Sequence, residues 1–251
     1  MKKIIAAIVL VLFMVPMASA TDSKSDAYQL VRAGIDVDYF TAAMGQVNTE
    51  LARGPFNTSV TKLGGGIGAM ADLDLAILPY VMLGARAGYL YSMPGSNDNN
   101  YIIYSQKTTL DSSLIPIEVG GCINLDIPSF PASIMAGIYG GYGIATASYQ
   151  NEVNALGQTT TYTDPYMGGG FVGEILARVS IKMSSALSFN INGGYRTADI
   201  AQMKQTTDVN STIYPTVPSG PKNKVLTDSN NNNMAFDYSG LSLGVGVALS
   251  Y

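Results

Sequence analysis

The sequence has 251 residues, of which 13% are charged and 47% hydrophobic, with 27 Gly, 16 Tyr, one Cys and no His or Trp. Charged residues make up about 25% of an average globular chain, so charge is depleted here. The formal net charge of -4 provides no basic surface for a nucleic-acid backbone. The lack of His removes the commonest general base and the commonest metal ligand, which argues against most hydrolase mechanisms and zinc sites.

The first 20 residues have the three parts of a secretory signal peptide. Two lysines precede an uncharged apolar run at 4–17, and the small residues that follow end at Ala20 as a small-x-small cleavage site. The apolar run is shorter than the ~20 residues that a membrane-spanning helix needs. We therefore predict a signal peptide at 1–20, a short N-terminal segment at 21–30 and one folded unit at 31–251.

The folded unit alternates large apolar residues with small or polar ones at a period of two. The last segment shows this most clearly, because the odd positions from Leu241 to Tyr251 are large and the even positions are Ser, Gly or Ala. This alternation predicts strands with one apolar face. Eight such strands follow in chain order, at about 33–39, 67–75, 83–89, 115–125, 133–149, 175–181, 187–195 and 241–251.

The connections between these strands alternate between long and short. Long connections are predicted at 46–63, 92–112, 150–168 and 199–236, and short ones at 78–79, 126–131 and 183–186. In an antiparallel meander all the long connections then lie on one rim, as in outer-membrane barrels. The predicted fold is all-β: an eight-stranded antiparallel up-and-down transmembrane β-barrel with short periplasmic turns and long extracellular loops.

The C-terminal strand YSGLSLGVGVALSY ends in an aromatic residue and resembles the terminal signal read by the outer-membrane barrel assembly machinery. With the signal peptide and the eight alternating segments, the chain resembles small bacterial outer-membrane barrel proteins of the OmpX, OmpW and opacity-protein type. The resemblance implies an outer-membrane location, a periplasmic segment at 21–30, and partners that include outer-membrane lipid and the assembly machinery. The residues that match the signal are Leu243, Val245, Val247, Leu249 and Tyr251.

A near-repeat supports the strand count. AGYLYS, GGYGIA and GGYRTA place Tyr89, Tyr142 and Tyr195 at intervals of 53 residues. A tyrosine-built site is one interpretation, but all three residues lie on the apolar face. We therefore predict that they form an aromatic girdle at the lipid–water boundary, together with Tyr39 and Tyr251.

The polar face of the strands carries the charged residues. The predicted lumen network consists of Asp36, Asp38, Asp72, Asp74, Arg86, Glu118, Glu174, Arg178 and Arg196. Buried charges persist when they are paired, so the favoured interpretation is a salt-bridged plug in a narrow lumen. The alternative is an acid-biased passage for small solutes or cations, lined by small residues.

The segment Asp228-x-Asn230-x-Asn232 copies the start of a calcium-binding loop. Asn233 occupies the position of the required Gly, and Ser239 occupies that of the bidentate Glu. A solvated Asn-rich loop is therefore predicted instead. We expect no catalytic, cofactor-binding or metal site.

Barrel enzymes of the outer membrane use a catalytic His, so the resemblance and the missing His together predict a protein that is not an enzyme. The predicted function is structural or adhesin-like surface interaction. Host or environmental ligands would be contacted by the polar loops at 199–236 and 92–112, and no nucleic acid is expected as a partner. The alternative is a narrow channel for small solutes or cations across the outer membrane.

Overall fold

A computed structural model of the chain describes residues 31–53, 57–100, 104–208 and 221–250. One short helix, α1 (Gly45–Leu51), accompanies the strands in this part of the chain. The strands are β1 (Val31–Phe40), β2 (Asn57–Thr61), β3 (Gly66–Leu78), β4 (Val81–Asn100), β5 (Tyr104–Asp126), β6 (Ala132–Ala155), β7 (Gln158–Lys182), β8 (Leu187–Ile200), β9 (Lys204–Gln205), β10 (Phe236–Asp237) and β11 (Gly240–Ser250). The predicted signal peptide, the segment 21–30 and Tyr251 lie outside the described residues.

Eight of the strands form a closed ring. Their order is β1-β3-β4-β5-β6-β7-β8-β11, and β11 returns to pair with β1 from Arg32↔Ser250 to Phe40↔Ser242. Every pairing in the ring is antiparallel. The prediction of an eight-stranded antiparallel barrel is confirmed.

Alternation along the strands separates an apolar outer face from a polar inner face. On β1, for example, Val37 is 60% exposed, whereas its neighbours Asp36 and Asp38 are buried. The outward Leu, Ile and Val side chains of the other ring strands are exposed in the same way. A contiguous exposed apolar belt of this kind requires lipid rather than water around it. The barrel is therefore transmembrane.

The two rims of the barrel differ. At one rim the strands are joined by short turns, at Pro79-Tyr80, at 127–131 and at 183–186. Two aromatic side chains in these turns, Tyr80 and Phe130, are each 59% exposed. This is the periplasmic rim, and all the longer connections lie at the opposite, extracellular rim.

The structure corrects two of the predicted loops. Most of 92–112 and 150–168 belongs to strands, because β4 and β5 pair as far as Asn100↔Ser105 and β6 and β7 as far as Ala155↔Gln158. The turn between β6 and β7 is Leu156-Gly157, and both residues have positive φ (52° and 80°), as a two-residue hairpin turn requires. These segments were missed because both faces of the hairpins are largely polar, so the apolar alternation stops where the strands leave the membrane.

The other two long connections extend the sheet and cover it. Strand β2, within 46–63, pairs with β4, and β9, within 199–236, pairs with β7. Above the membrane the ring thus continues as an open sheet in the order β2-β4-β5-β6-β7-β9. Helix α1 and residues 223–238 are hydrogen bonded to this sheet or to each other, and we call them the cap.

The main apolar core lies inside the extracellular half of the barrel and under the cap. Met44, which precedes α1, and Val47 of α1 are fully buried there, as is Phe236 of β10. They pack with inward residues of the ring strands, and the whole cluster consists of Phe40, Met44, Val47, Leu63, Met70, Leu90, Leu110, Leu114, Ala145, Ala147, Tyr149, Tyr166, Val172, Ala198, Ile200, Met203, Leu226, Met234, Phe236 and Tyr238. We call this cluster the apolar plug.

Candidate functional site: the filled lumen and its extracellular cap

All nine residues of the predicted lumen network point into the barrel. Each is at most 5% exposed, and they are Asp36, Asp38, Asp72, Asp74, Arg86, Glu118, Glu174, Arg178 and Arg196. They are contributed by β1, β3, β4, β5, β7 and β8, whose inward positions follow from the period of two. The structure groups seven of them into two sets of ion pairs.

The first set links β7 to the opposite wall of the barrel. Arg178 donates through Nη2 to Asp36 Oδ2 and to Asp72 Oδ1, the latter at 2.8 Å. Arg32 donates to Asp72 at 3.1 Å and to Asp74 at 2.9 Å. Arg32 was missed by the sequence analysis, although its even position on β1 matches Asp36 and Asp38. These bonds cross the lumen and tie β1 and β3 to β7.

The second set lies next to the first. Glu174 Oε2 is 3.1 Å from Arg86 Nη1 and accepts a hydrogen bond of 2.7 Å from Arg196 Nη2. The guanidinium of Arg86 lies 5.1 Å from the ring centroid of Tyr139, whose hydroxyl donates to Asp74 Oδ1 at 3.3 Å. Tyr139 therefore connects the two sets. It was missed because β6 is rich in Gly, so its inward and outward faces are hard to distinguish in sequence.

Two acids enter the lumen without an ion pair in the described part of the chain: Asp38 and Glu118. Glu118 is 1% exposed and lies directly opposite Arg86 in the β4–β5 register, but Arg86 turns towards Glu174 instead. Neither oxygen of Glu118 has a hydrogen-bond partner within the described residues. With Arg32 included, the lumen holds four arginines and six carboxyl groups.

The ion pairs engage most of the acids in the lumen. Four of the six carboxyl groups are bonded to guanidinium groups, which fixes their positions across the barrel. Above these charges, inward Met70, Leu90, Leu114 and Val172 are fully buried in the apolar plug. An ion-pair layer and an apolar layer therefore fill successive levels of the lumen.

Polar side chains of helix α1 fix the cap in place. Gln46 accepts from the backbone N–H of Ala235 at 2.9 Å and donates to the backbone oxygen of Asn233 at 3.3 Å. Asn48 exchanges two hydrogen bonds with the backbone of Leu63, at 2.6 and 2.8 Å. At the end of the helix, Asn97 of β4 donates to the carbonyl of Leu51 at 2.6 Å. The helix is thus bonded to β4, to the segment before β3 and to the segment before β10.

The calcium-like segment forms a turn around its own carboxylate. Asp228 Oδ1 accepts from the backbone N–H groups of Asn230 and Asn232 at 2.8 and 2.9 Å. These bonds, led by that from Asn232, hold the pKa of Asp228 below its usual value. Across the described ranges, no three His, Cys, Asp or Glu side chains are grouped as a metal site requires.

Asp164 is a buried carboxyl group in the extracellular extension of β7. It is 0% exposed, and neither of its oxygens has a hydrogen-bond partner in the part of the chain that the structure describes. Burial raises its pKa to about 6. The same environment raises the pKa of the neighbouring tyrosines Tyr149 and Tyr166. The sequence analysis did not single out Asp164, because the segment 150–168 was predicted to be a loop.

The predicted girdle and assembly residues point away from the lumen. Tyr39, Tyr89, Tyr142 and Tyr195 are 42–55% exposed, and Phe171, paired with Tyr142, is 66% exposed. The assembly residues Leu243, Val245, Val247 and Leu249 of β11 are 42–65% exposed. Tyr251, which belongs to both predicted sets, lies outside the described residues.

No protein-family model matches the chain, and no curated protein matches it. Among solved structures, it is similar to Neisserial surface protein A (12% identity, 88% of this chain and 97% of that chain covered, TM-score 0.37). It is similar to Ail, the attachment invasion locus protein of Yersinia pestis (8% identity, 88% and 98% covered, TM-score 0.32). It is also similar to the outer membrane protein OprG of Pseudomonas aeruginosa (10% identity, 88% and 94% covered, TM-score 0.42).

These matches are to small outer-membrane barrel proteins, as the resemblance in the sequence predicted. What the chains share is the barrel, which the strand pairing of this protein establishes independently. No helix of the described residues is long and apolar enough to cross a membrane.

Replacing Arg178 tests the ion-pair layer. Arg178→Met leaves Asp36 and Asp72 buried with fewer partners, so the free energy of unfolding is expected to fall by about 3–5 kcal/mol. Urea unfolding of the refolded protein in phospholipid vesicles measures the loss. Lys182→Met is the matched control: Lys182 lies on β7 like Arg178, but its ion pair with Asp126 of β5 is exposed and is worth at most about 1 kcal/mol. Equal losses in the two variants would contradict the assigned role of Arg178.

The pKa of Asp164 makes stability depend on pH. The unfolded group titrates near pH 4 and the folded group near pH 6. Between these values the folded state retains a proton that the unfolded state has lost, so the free energy of unfolding falls as pH rises from about 4 to about 6. Asp164→Asn is expected to remove this component and to be more stable than the wild type at pH 7.

This difference in stability is measured from the midpoints of urea unfolding of the wild type and Asp164→Asn at pH 4 and pH 7. Glu152→Gln, which changes an exposed carboxyl on the neighbouring strand, serves as the control and is expected to keep the wild-type profile. If the urea midpoint of Asp164→Asn changes between the two pH values by as much as that of the wild type, Asp164 is not the source of the pH dependence and the prediction is wrong.

Proposed function

We propose that this protein is an integral outer-membrane barrel that acts as an adhesin-like surface-interaction module through its extracellular part. In this proposal the signal peptide at 1–20 directs export, the assembly machinery recognises the C-terminal strand, and a host or environmental ligand meets the extracellular surface. The observation that carries it is the filled interior: ion pairs cross the lumen, and the apolar plug lies above them. With the interior occupied, the extracellular surface is the part left to act.

The extracellular sheet is large enough to form such a contact surface. On β6, 13 residue steps separate outward Tyr142 from Ala155 at the tip, or roughly 40 Å along the strand at ~3.3 Å per residue. The outer face of the extracellular sheet carries exposed polar side chains from β2, β5, β6 and β7. They are Thr61, Ser105, Lys107, Gln150, Glu152, Asn154, Thr159, Thr161 and Thr163.

The chemistry of the lumen supports interaction rather than catalysis. The chain contains no His, and its paired carboxylates are engaged by arginines. A general base needs a proton to abstract within hydrogen-bonding reach, and the filled lumen leaves no room for a substrate beside these groups.

A narrow channel for cations or small solutes is the second candidate. Two observations favour it: the lumen has two more carboxyl groups than arginines, and Glu118 is buried without a hydrogen-bond partner among the described residues. An ion would nevertheless have to displace both the ion pairs and the apolar plug to cross. We therefore rank the channel below the surface-interaction module.

Shortening the β6–β7 hairpin tests the surface-interaction module. Gln150 and Thr163 are directly paired, so residues 150–163 can be deleted and Tyr149 joined to Asp164 by an Asn-Gly turn. Tyr149 and Tyr166 remain to support the apolar plug. Cells of a non-adherent bacterial host that display the wild type are expected to bind matrix-coated or host-cell surfaces, and cells that display the shortened variant are expected to lose this binding.

A matched variant, Phe130→Ser, changes an exposed turn at the opposite, periplasmic rim and is expected to keep the binding. Heat-modifiable electrophoretic mobility confirms that each variant is folded. Undiminished adherence of the shortened variant would contradict the assignment of the hairpin as a contact surface.

Conductance separates the two candidate functions. Wild-type protein in a planar bilayer is expected to give no steady unitary current, because the interior is filled at two levels. Glu118→Gln is expected to give the same result. A steady unitary conductance in the wild type that is lost in Glu118→Gln would reverse the ranking in favour of the channel.

A further inference from the structure

The inner face of the extracellular sheet carries a belt of amide and carboxyl side chains near the apolar plug. They come from five strands, β4, β5, β6, β7 and β9, and each is at most 7% exposed. The residues of this polar belt are Asn97, Asn99, Gln106, Asn151, Asp164 and Gln205.

Strand register places these side chains beside one another. Asn99 lies opposite Gln106 between β4 and β5, and Thr108, the next inward residue of β5, donates to Asn151 Oδ1 at 2.7 Å. On the far side, Asp164 is two residues from Tyr166, which pairs with Gln205 of β9. The belt is therefore continuous across the concave side of the sheet.

Several polar atoms of the belt have no hydrogen-bond partner among the residues that the structure describes. They are both carboxylate oxygens of Asp164, Nε2 of Gln205 and the Oδ1 atoms of Asn97 and Asn99. All of these residues are more than nine-tenths buried. Leaving such atoms without a partner is costly, so the β7–β9 end of the belt fits a ligand that donates hydrogen bonds to Asp164 and accepts one from Gln205.

Hydroxyl groups meet both requirements, because each donates one hydrogen bond and accepts others. A carboxylate has two oxygens that can accept from two adjacent hydroxyls. Tyr149 lies opposite Asp164 in the register, and Tyr149 and Tyr166 pack edge to face with ring centroids 5.9 Å apart. These rings provide an apolar surface for the C–H groups of a polyhydroxylated ring.

The charge of the belt selects among such ligands. It contains one carboxyl group, Asp164, and no arginine or lysine, so sulfated or phosphorylated sugars would meet an uncompensated like charge. We propose that the polar belt is a binding site for a neutral saccharide unit, with Asp164 accepting hydrogen bonds from two hydroxyls and Gln205 donating one. This site rests on the proposed surface-interaction function and specifies its ligand class.

In this proposal the ligand reaches the belt by displacing one edge of the cap. Residues 223–226 are attached to the β9 region by backbone hydrogen bonds, including Gln205 N–H to the Lys224 carbonyl at 2.9 Å and Asn223 N–H to the Gln205 carbonyl at 2.8 Å. Release of residues 223–226 would expose Gln205 and would leave the attachment of α1 to β4 intact.

Saturation-transfer difference NMR tests the site on the full-length mature barrel in a sugar-free amine-oxide detergent. The probes are glucose, galactose, mannose, N-acetylglucosamine and lactose. The wild type is expected to transfer saturation to at least one of them. Asp164→Asn is expected to weaken that affinity by about tenfold or more, which corresponds to the loss of one charge-assisted hydrogen bond.

Gln205→Ala is expected to weaken the binding as well, whereas Asp126→Asn, at an exposed position on the periplasmic rim, is expected to keep it. Heat-modifiable mobility shows that each variant is folded. Absence of transfer to all five probes, or equal binding by the wild type and Asp164→Asn, would overturn the proposal. If the wild type adheres but binds none of the saccharides, the saccharide site is wrong and the adhesin-like function stands. If it binds a saccharide but does not adhere, the adhesin-like function is wrong and the saccharide site stands.

Discussion

The interior of an eight-stranded ring is only wide enough for side chains, and this constraint determines how the charges of the protein are arranged. A charge inside such a ring has no bulk water and is stabilised by bonding to another part of the wall, as four of the six lumen carboxyl groups are. Arg178 is stabilised in this way by bonding to Asp36 and Asp72 across the lumen. These contacts join β7 to β1 and β3 from inside the barrel. The lumen is therefore part of the fold rather than a space enclosed by it.

The two interior layers divide the barrel into parts with different tasks. The ion pairs occupy the level of the apolar outer belt, where lipid surrounds the wall. The apolar plug occupies the extracellular half, where the wall becomes an open sheet and needs a core of its own. Helix α1 and the segment before β10 supply that core from one side, and the inward residues of β4–β8 supply it from the other. The cap is thus a small folded unit built on the rim of the barrel.

Much of the barrel could be predicted from the sequence because lipid imposes a simple rule. Outward residues must be apolar and inward residues small or polar, so the alternation with a period of two reveals both the strands and the nine inward charges. The strands could not be predicted where they leave the membrane, because this rule no longer applies there. The hairpins at 92–112 and 150–168 are polar on both faces, and only Gly157 at the β6–β7 turn signalled one of them. The bulge between Ser92 and Gly95 also shifts the inward parity of β4, which hid Asn97 and Asn99.

The residues of the interior that sequence analysis missed share a second cause. Tyr139 lies on a strand where Gly and Ala occupy both faces, so its inward direction is fixed only by pairing with β5 and β7. Asp164 and Gln205 come together through β9, a strand of two residues that no periodicity can reveal. Their proximity depends on contacts between segments about 40 residues apart, which a single sequence does not encode locally.

The filled lumen is tested most directly by the one cysteine of the chain. Cys122 points inward next to the ion pairs, is 3% exposed, and packs with Met82, Met135 and Tyr139. In the folded barrel it is predicted to resist a cationic, water-soluble methanethiosulfonate reagent and to react fully after unfolding. Leu156→Cys in a Cys122→Ala background provides the exposed reference thiol. Modification of Cys122 in the folded barrel at the rate of that reference would show an open lumen and contradict the account.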